Sequence, residues 1–166
     1  MKTLSDLARD WFYRWKRWMY RGQHPNWLAR IQNSFWALVH SSGIAPGVLA
    51  TLEVTGRVSG RMISLPVAIT VLDGQRYLVS MLGEDAQWVK NVRAAHGIAF
   101  IRSGRRTKVL LEEVPVEQRA PILKAYLKLA PGARPHIPVD KDAPLSEFEA
   151  VAASFPAFRI VAEQGK

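Results

Sequence analysis

VLATLEVTGRVSGRMISLPVAITVLDGQRYLVS, residues 48–80, carries the pattern that decides the fold. β-Branched and aliphatic residues recur at short range through Val48–Thr55, Ile63–Val71 and, with its continuation, Gln75–Met81, each bounded by glycine or a charged turn. Asp73-Gly74 is a tight-reversal signal, since glycine accepts the positive φ that a two-residue hairpin loop requires. The same pattern returns at Gly97–Arg102 and Arg105–Val114 around Ser103-Gly104. Short connections of this kind predict mostly antiparallel neighbours. Between the two groups, Ala86–Ala95 reads as a helix with Trp88, Val89 and Val92 inward and Asp85 as its capping residue.

Outward from this centre the periodicity changes to helical. Glu117–Leu129 places Ile122, Leu123, Tyr126 and Leu127 on one face, and Leu145–Ala153 is a shorter helix. Pro131–Pro144 joins them as an ordered loop, and Phe158–Val161 adds a last strand. On the amino-terminal side, Leu4, Leu7, Trp11, Trp15 and Trp18 form the apolar face of an amphipathic helix flanked by Arg9, Lys16, Arg17 and Arg21. A second helical pattern runs from Trp27 to Val39 and closes at Gly43. The expected organisation is one domain over 1–166, with a helical segment at 1–43, a strand-rich core at 48–114 and helices with a final strand at 115–166.

Composition narrows the function. There is no cysteine among the 166 residues, so disulfides, thiolate zinc sites and a cysteine nucleophile are excluded, and any redox chemistry must come from a bound group. His24, His40, His96 and His136 stand far apart, so no metal site is expected. The glycine fingerprints of Rossmann and P-loop proteins, the H-E-x-x-H helix and the G-x-S-x-G elbow are all missing. Lys and Arg exceed Asp and Glu by 23 to 14, a net charge of +9 that favours an anionic partner. Nucleic acid is not expected, because the indoles fall on the apolar helix faces rather than among the basic residues of a strand face. No uninterrupted apolar run within residues 1–21 marks a secretory or spanning segment, so a cytoplasmic location is expected.

The densest chemistry lies in Thr55-Gly56-Arg57-Val58-Ser59-Gly60-Arg61, between two strands. Glycines allow backbone amides to approach an oxyanion, serine adds a donor, and arginine forks match phosphate or carboxylate geometry. Taken alone, the spacing favours an ordinary basic hairpin loop.

Together with Leu65-Pro66-Val67, Tyr77-Leu78-Val79-Ser80, Gly83 and Trp88-Val89-Lys90-Asn91-Val92-Arg93-Ala94, it resembles the deazaflavin-dependent nitroreductase family, over about Val48–Val114. That resemblance implies an α+β chain with a mainly β core: an FMN-binding-type split β-barrel with flanking helices. It implies coenzyme F-420, a deazaflavin, as cofactor, with flavin mononucleotide the less favoured occupant. Arg57, Ser59, Gly60 and Arg61 would hold the cofactor's phosphate, and Pro66 and Val67 would line its ring. Val79, Ser80, Met81 and Leu82 would offer backbone groups to the ring's polar edge, while Trp88, Lys90 and Asn91 would secure the tail and the crossover helix.

Better-studied members carry lysine and a second arginine where this chain has Val58 and Ile63, and a tyrosine at Ala68. Arg61, Lys90 or Arg93 are the candidates to replace the charge. The implied reaction is hydride transfer from the reduced cofactor to a quinone, an activated alkene or a nitro compound, with Tyr20, His136 or solvent as proton donor; the alternative is a non-catalytic deazaflavin or apolar-ligand carrier. The indole-rich helix, with Arg14, Arg17 and Arg21, suits either a lid over the barrel or an anionic membrane surface at the inner face of the membrane.

Overall fold

The computed structural model describes residues 48–162; the expected helices within 1–43, with Tyr20, His24 and His40, lie outside them. Seven strands and three α-helices follow in chain order: β1 Leu49–Thr55, β2 Met62–Ala68, β3 Thr70–Leu72, β4 Gln75–Val79, α1 Gln87–Ala94, β5 Ile98–Ser103, β6 Arg105–Glu113, α2 Arg119–Leu129, α3 Leu145–Val151 and β7 Ala157–Ala162. All strand pairs are antiparallel.

The sheet order is β2-β1-β5-β6-β7-β4-β3. Its two edge strands are consecutive in the chain, separated by Ile69 alone, so the sheet must curl until its edges approach one another. The expected strand Ile63–Val71 is therefore broken: Ile69, whose amide donates to Val48 O at 2.7 Å, is the corner at which the chain passes from one edge to the other. Pro66 sits on the edge strand β2, where a residue without an N–H costs the ladder least. The result is the expected split β-barrel.

Alternation along the strands fills the barrel. Ala50, Leu52 and Val54 of β1 meet Ile101 and Ala99 of β5, Val109 and Leu111 of β6, Leu78 of β4, and Phe158 and Ile160 of β7 in one apolar cluster. Val89 and Val92 of α1 join it, so this helix closes one end of the barrel. A second cluster lies between the sheet and α2–α3, where Ile122, Leu123, Tyr126 and Leu127 are buried as the helical spacing requires, with Phe148 and Phe155. The loop between α2 and α3 contains a short 3-10 turn at Pro131–Ala133, and Ile137 is buried beneath it.

The hairpins form where expected. Asp73 and Gly74 both take positive φ, 49° and 75°, in the β3–β4 reversal, and Gly104 does so, at 72°, in the β5–β6 reversal. Gly97 enters β5 at φ 81°, and a Cβ there would lie 2.5 Å from Leu111 O, so both the conformation and the space demand glycine. Two expectations are corrected. β4 ends at Val79 rather than Met81, because the chain turns at Ser80, whose amide donates to Pro156 O at 2.9 Å. Asp85 does not cap α1: the N-cap is Ala86, with no side-chain cap, and Asp85 instead accepts from Lys90 Nζ at 2.8 Å. An ion pair with a residue facing it across the first helical turn has won over the helix amides.

Candidate active site

The Gly56–Arg61 loop leaves β1 at the end of the barrel that α1 closes. Gly56 N donates to Arg61 O and Gly60 N to Gly56 O, both at 2.8 Å, and Arg61 N reaches Ser59 Oγ at 3.3 Å. Gly56 is buried, and a Cβ on it would meet Ile63 Cδ1 at 2.8 Å and Ser59 Oγ at 2.9 Å, so the loop is pressed against β2. Gly60 takes φ 66° and lets the chain return into β2.

Arg57 is tied to α1. Its backbone N and its Nη1 donate to Asn91 Oδ1 at 3.2 and 3.0 Å, and its Nη2 donates to Gln87 Oε1 at 3.0 Å. Asn91 is only 2% exposed although it lies on a surface helix, because this one oxygen serves two donors of the neighbouring loop. Trp88, on the same helix, packs its ring against Phe158 at 5.4 Å and thereby anchors α1 to the barrel. Thus Arg57, Trp88 and Asn91 are brought together.

The neighbouring charges divide into two sets. Lys90 is engaged by Asp85. Arg93 binds Glu113 at 2.5 Å and Glu84 at 2.7 Å, and these carboxylates raise its pKa above the ordinary arginine range. Arg119, buried at the start of α2, donates to Val114 O at 2.9 Å and Glu113 Oε1 at 3.0 Å. Arg57 and Arg61, by contrast, have no carboxylate partner among the described residues. Of the three candidates to replace the missing lysine charge, Arg61 alone is uncompensated.

Backbone groups add to this. The amides of Val58 and Ser59 in the loop, and of Met81 and Leu82 after β4, donate to no backbone acceptor among the described residues, and the first turn of α1 has no side-chain cap. Ser80 differs: its amide is used by Pro156, and its hydroxyl donates to Gly83 O at 2.8 Å, which shapes the turn that presents Met81 and Leu82. Val79 is buried in the core. On β2, Pro66 pairs with Thr51 and Val67 with Ala50, so their side chains point to opposite faces, and Val67 packs against the barrel interior. His136 is exposed on the α2–α3 connection.

Sequence reading missed Gln87 and the Glu84–Arg93–Glu113–Arg119 network, whose members are distant in the chain and carry no local pattern. A further set of contacts lies on the β5–β6 hairpin. There Arg106 binds buried Glu53 at 2.6 Å and stacks 3.6 Å from the centre of the Phe100 ring, and Arg102 approaches Glu53 at 3.5 Å. The register that brings Glu53 opposite Phe100 was not visible in advance.

Residues 29–142 match the model of the F-420H(2)-dependent quinone reductase family. The chain belongs to that family. It is accordingly an oxidoreductase whose cofactor is the deazaflavin. No curated protein matches the chain.

Solved structures similar in fold include a protein of unknown function from Agrobacterium tumefaciens, at 12% identity and TM-score 0.51 over 78% of this chain. The chain spans 55% of that protein's length. A protein titled as a 5-nitroimidazole antibiotic resistance protein, from Bacteroides thetaiotaomicron, aligns at 10% identity and TM-score 0.50, covering 76% of this chain and 80% of that one. An F-420-H2 dependent reductase aligns at 21% identity and TM-score 0.42, over 68% of this chain and 93% of its own. For this member of the quinone reductase family, no helix among the described residues is long and apolar enough to cross a membrane.

Proposed function

We propose that this member of the family reduces a quinone, an activated alkene or a nitro compound, and that the loop at Arg57 with the start of α1 holds the cofactor's phosphate-bearing tail. The observation that carries the reading is the state of Arg57: its guanidinium is fixed in direction by two neutral amide oxygens, Asn91 Oδ1 and Gln87 Oε1, and keeps its full charge for an incoming anion. Were its partners carboxylates, as for Arg93, the charge would already be spent.

When bound, the reduced deazaflavin supplies a hydride, and a proton completes the two-electron reduction of the acceptor. The chain's part is placement. Arg57, Arg61 and the amides of Val58 and Ser59 bind the tail's negative charge, with Ser59 and Gly60 shaping the loop. Met81 and Leu82 offer amides to the polar edge of the ring, and Pro66 presents an apolar surface from β2. Trp88 and Asn91 keep α1 and the loop in register, while Lys90, its charge paired with Asp85, steadies the start of the same helix. His136 and Tyr20 are the candidate proton donors. The amino-terminal indoles Trp11, Trp15 and Trp18 suit either an anionic membrane surface, where a lipid-soluble quinone is within reach, or packing onto the barrel over its groove.

Anaerobic titration by cofactor fluorescence, followed by mixing with a panel of quinones, enones and nitroimidazoles, tests this. Arg57→Ala is expected to weaken cofactor binding by about 1.5–3 kcal/mol, the range for hydrogen bonds to charged groups. An unchanged dissociation constant in folded Arg57→Ala protein would remove the loop from the site. Tight binding with no turnover on any acceptor would favour a carrier over a reductase.

A further inference from the structure

At the barrel end opposite α1 lies a cavity of about 260 Å³, lined by Ile69, Arg76, Ile101, Ser103, Arg105, Thr107 and Ile160. It is separate from the Arg57 loop. That loop follows β1 at Thr55, beside the start of β5 at Ile98, whereas the cavity opens at the far end of β5, about 17 Å away at the rise of an antiparallel strand.

Strand register settles which face these residues occupy. Ile101 pairs with Thr107 and Ser103 with Arg105, so all four side chains share the face that bears the barrel core. Arg76 stands two residues before buried Leu78 on β4, on that same face. The barrel interior is thus floored by Ile69, Ile101 and Ile160, each under 8% exposed, and rimmed by two arginines that point to the lumen side. Neither Arg76 nor Arg105 has a carboxylate or other side-chain partner among the described residues. An apolar floor beneath convergent, unpaired cations and two hydroxyls in the mouth of a barrel is the composition of a small-ligand site.

We propose that this mouth binds a small amphiphilic carboxylate, its head on Arg76 and Arg105 with Ser103 and Thr107 beside it, its hydrocarbon on the three isoleucines. The cavity, about 260 Å³ and partly open to solvent, suits a medium-chain acid rather than a long lipid. The site is independent of the reading of the Arg57 loop.

Calorimetric titration of the full chain with octanoate, 1-octanol and acetate tests the proposal. Octanoate is expected to bind at least tenfold more tightly than either of the others, since only it satisfies both floor and rim. Arg76→Gln and Arg105→Gln, both at exposed positions, are each expected to weaken octanoate by about tenfold and to leave the deazaflavin titration unchanged. Amide chemical shifts of Ser103 and Thr107 should move with octanoate in the parent protein, a reading that does not depend on any variant folding. Octanol binding as tightly as octanoate, unchanged affinity in the double variant, or displacement of the deazaflavin by octanoate would overturn the proposal.

Discussion

Arg57 Nη1 lies 3.0 Å from Asn91 Oδ1, and the same oxygen receives the Arg57 backbone amide at 3.2 Å, across thirty-four residues of chain. One buried acceptor therefore sets both the path of the loop and the aim of its guanidinium. Replacing Asn91 separates the two contributions. Asn91→Ala strands a donor pair and should lower stability by about 1–3 kcal/mol, measured by urea unfolding, while weakening the cofactor. Asn91→Asp retains the acceptor but gives Arg57 a carboxylate. It should preserve most of the stability and still weaken deazaflavin binding about tenfold or more in a fluorescence titration. Equal cofactor affinity in Asn91→Asp and the parent would show that the charge on Arg57 is not what the ligand meets.

Gly97→Ala should be the most damaging single-methyl change in the barrel. The added Cβ would sit 2.5 Å from Leu111 O on a backbone at φ 81°, and neither β5 nor β6 can yield without breaking the Leu111 N to Gly97 O bond of 2.8 Å. A loss of about 2–4 kcal/mol is expected, from left-handed strain plus overpacking. Gly104→Ala, at φ 72° but with open space around it, should lose only the conformational part, so chemical denaturation of the two variants side by side separates strain from crowding.

Acid should loosen the junction of α1, β6 and α2. The hydrogen bond from Arg93, with Arg93 and Arg119 charges beside it, lowers the Glu113 pKa below the ordinary carboxylate value, against the opposing effect of burial. Its folded pKa being depressed, Glu113 contributes stability that is present above its unfolded pKa and is lost as pH falls through the folded value. Glu113→Gln should reduce stability at neutral pH and flatten the decline on the acid side. Melting temperatures of both proteins from neutral pH downward check this, and parallel curves would contradict it.

Alkali acts through a different residue. Tyr126 is buried in the α2 layer, and desolvation of its phenolate raises its pKa well above the ordinary tyrosine value. The sign is opposite to that of Glu113: the contribution is complete below the unfolded tyrosine pKa of about 10 and disappears as pH climbs above it. Tyr126→Phe, which keeps the ring, should show a smaller loss of stability above that pH, read by thermal unfolding at high pH.

Most strands, the three helices of the described residues and both core faces were legible because alternation in β1 and the helical spacing of Ile122, Leu123, Tyr126 and Leu127 are local properties of the chain. The corner at Ile69 was not. Nothing in Val67-Ala68-Ile69-Thr70 marks a break; the break is imposed by the need for β2 and β3 to serve opposite edges of one sheet. At the site, Arg57 and Asn91 were each visible as residue types within motifs, but their joining was a tertiary matter. Gln87 gave no signal, since a glutamine at a helix start is ordinary until an arginine from another element reaches it. Asp85 misled because a side chain that suits a helix cap also suits an ion pair with Lys90, and only geometry decides between them.

β7 lies inside the sheet, hydrogen-bonded to β6 on one flank and β4 on the other, although it is the last strand of the described chain to be made. During synthesis, then, β1, β2, β5 and β6 can join while β3 and β4 wait as a detached hairpin, exposing both flanks of the vacancy, until residue 162 has cleared the ribosome. At 5–20 residues per second, translation of the roughly fifty residues between the end of β6 and the end of β7 leaves that gap open for about 2–10 seconds. The nascent barrel is therefore most vulnerable to mispairing with a neighbouring polypeptide late in its manufacture, and its demand on chaperones should rise with anything that slows elongation through α2 and α3.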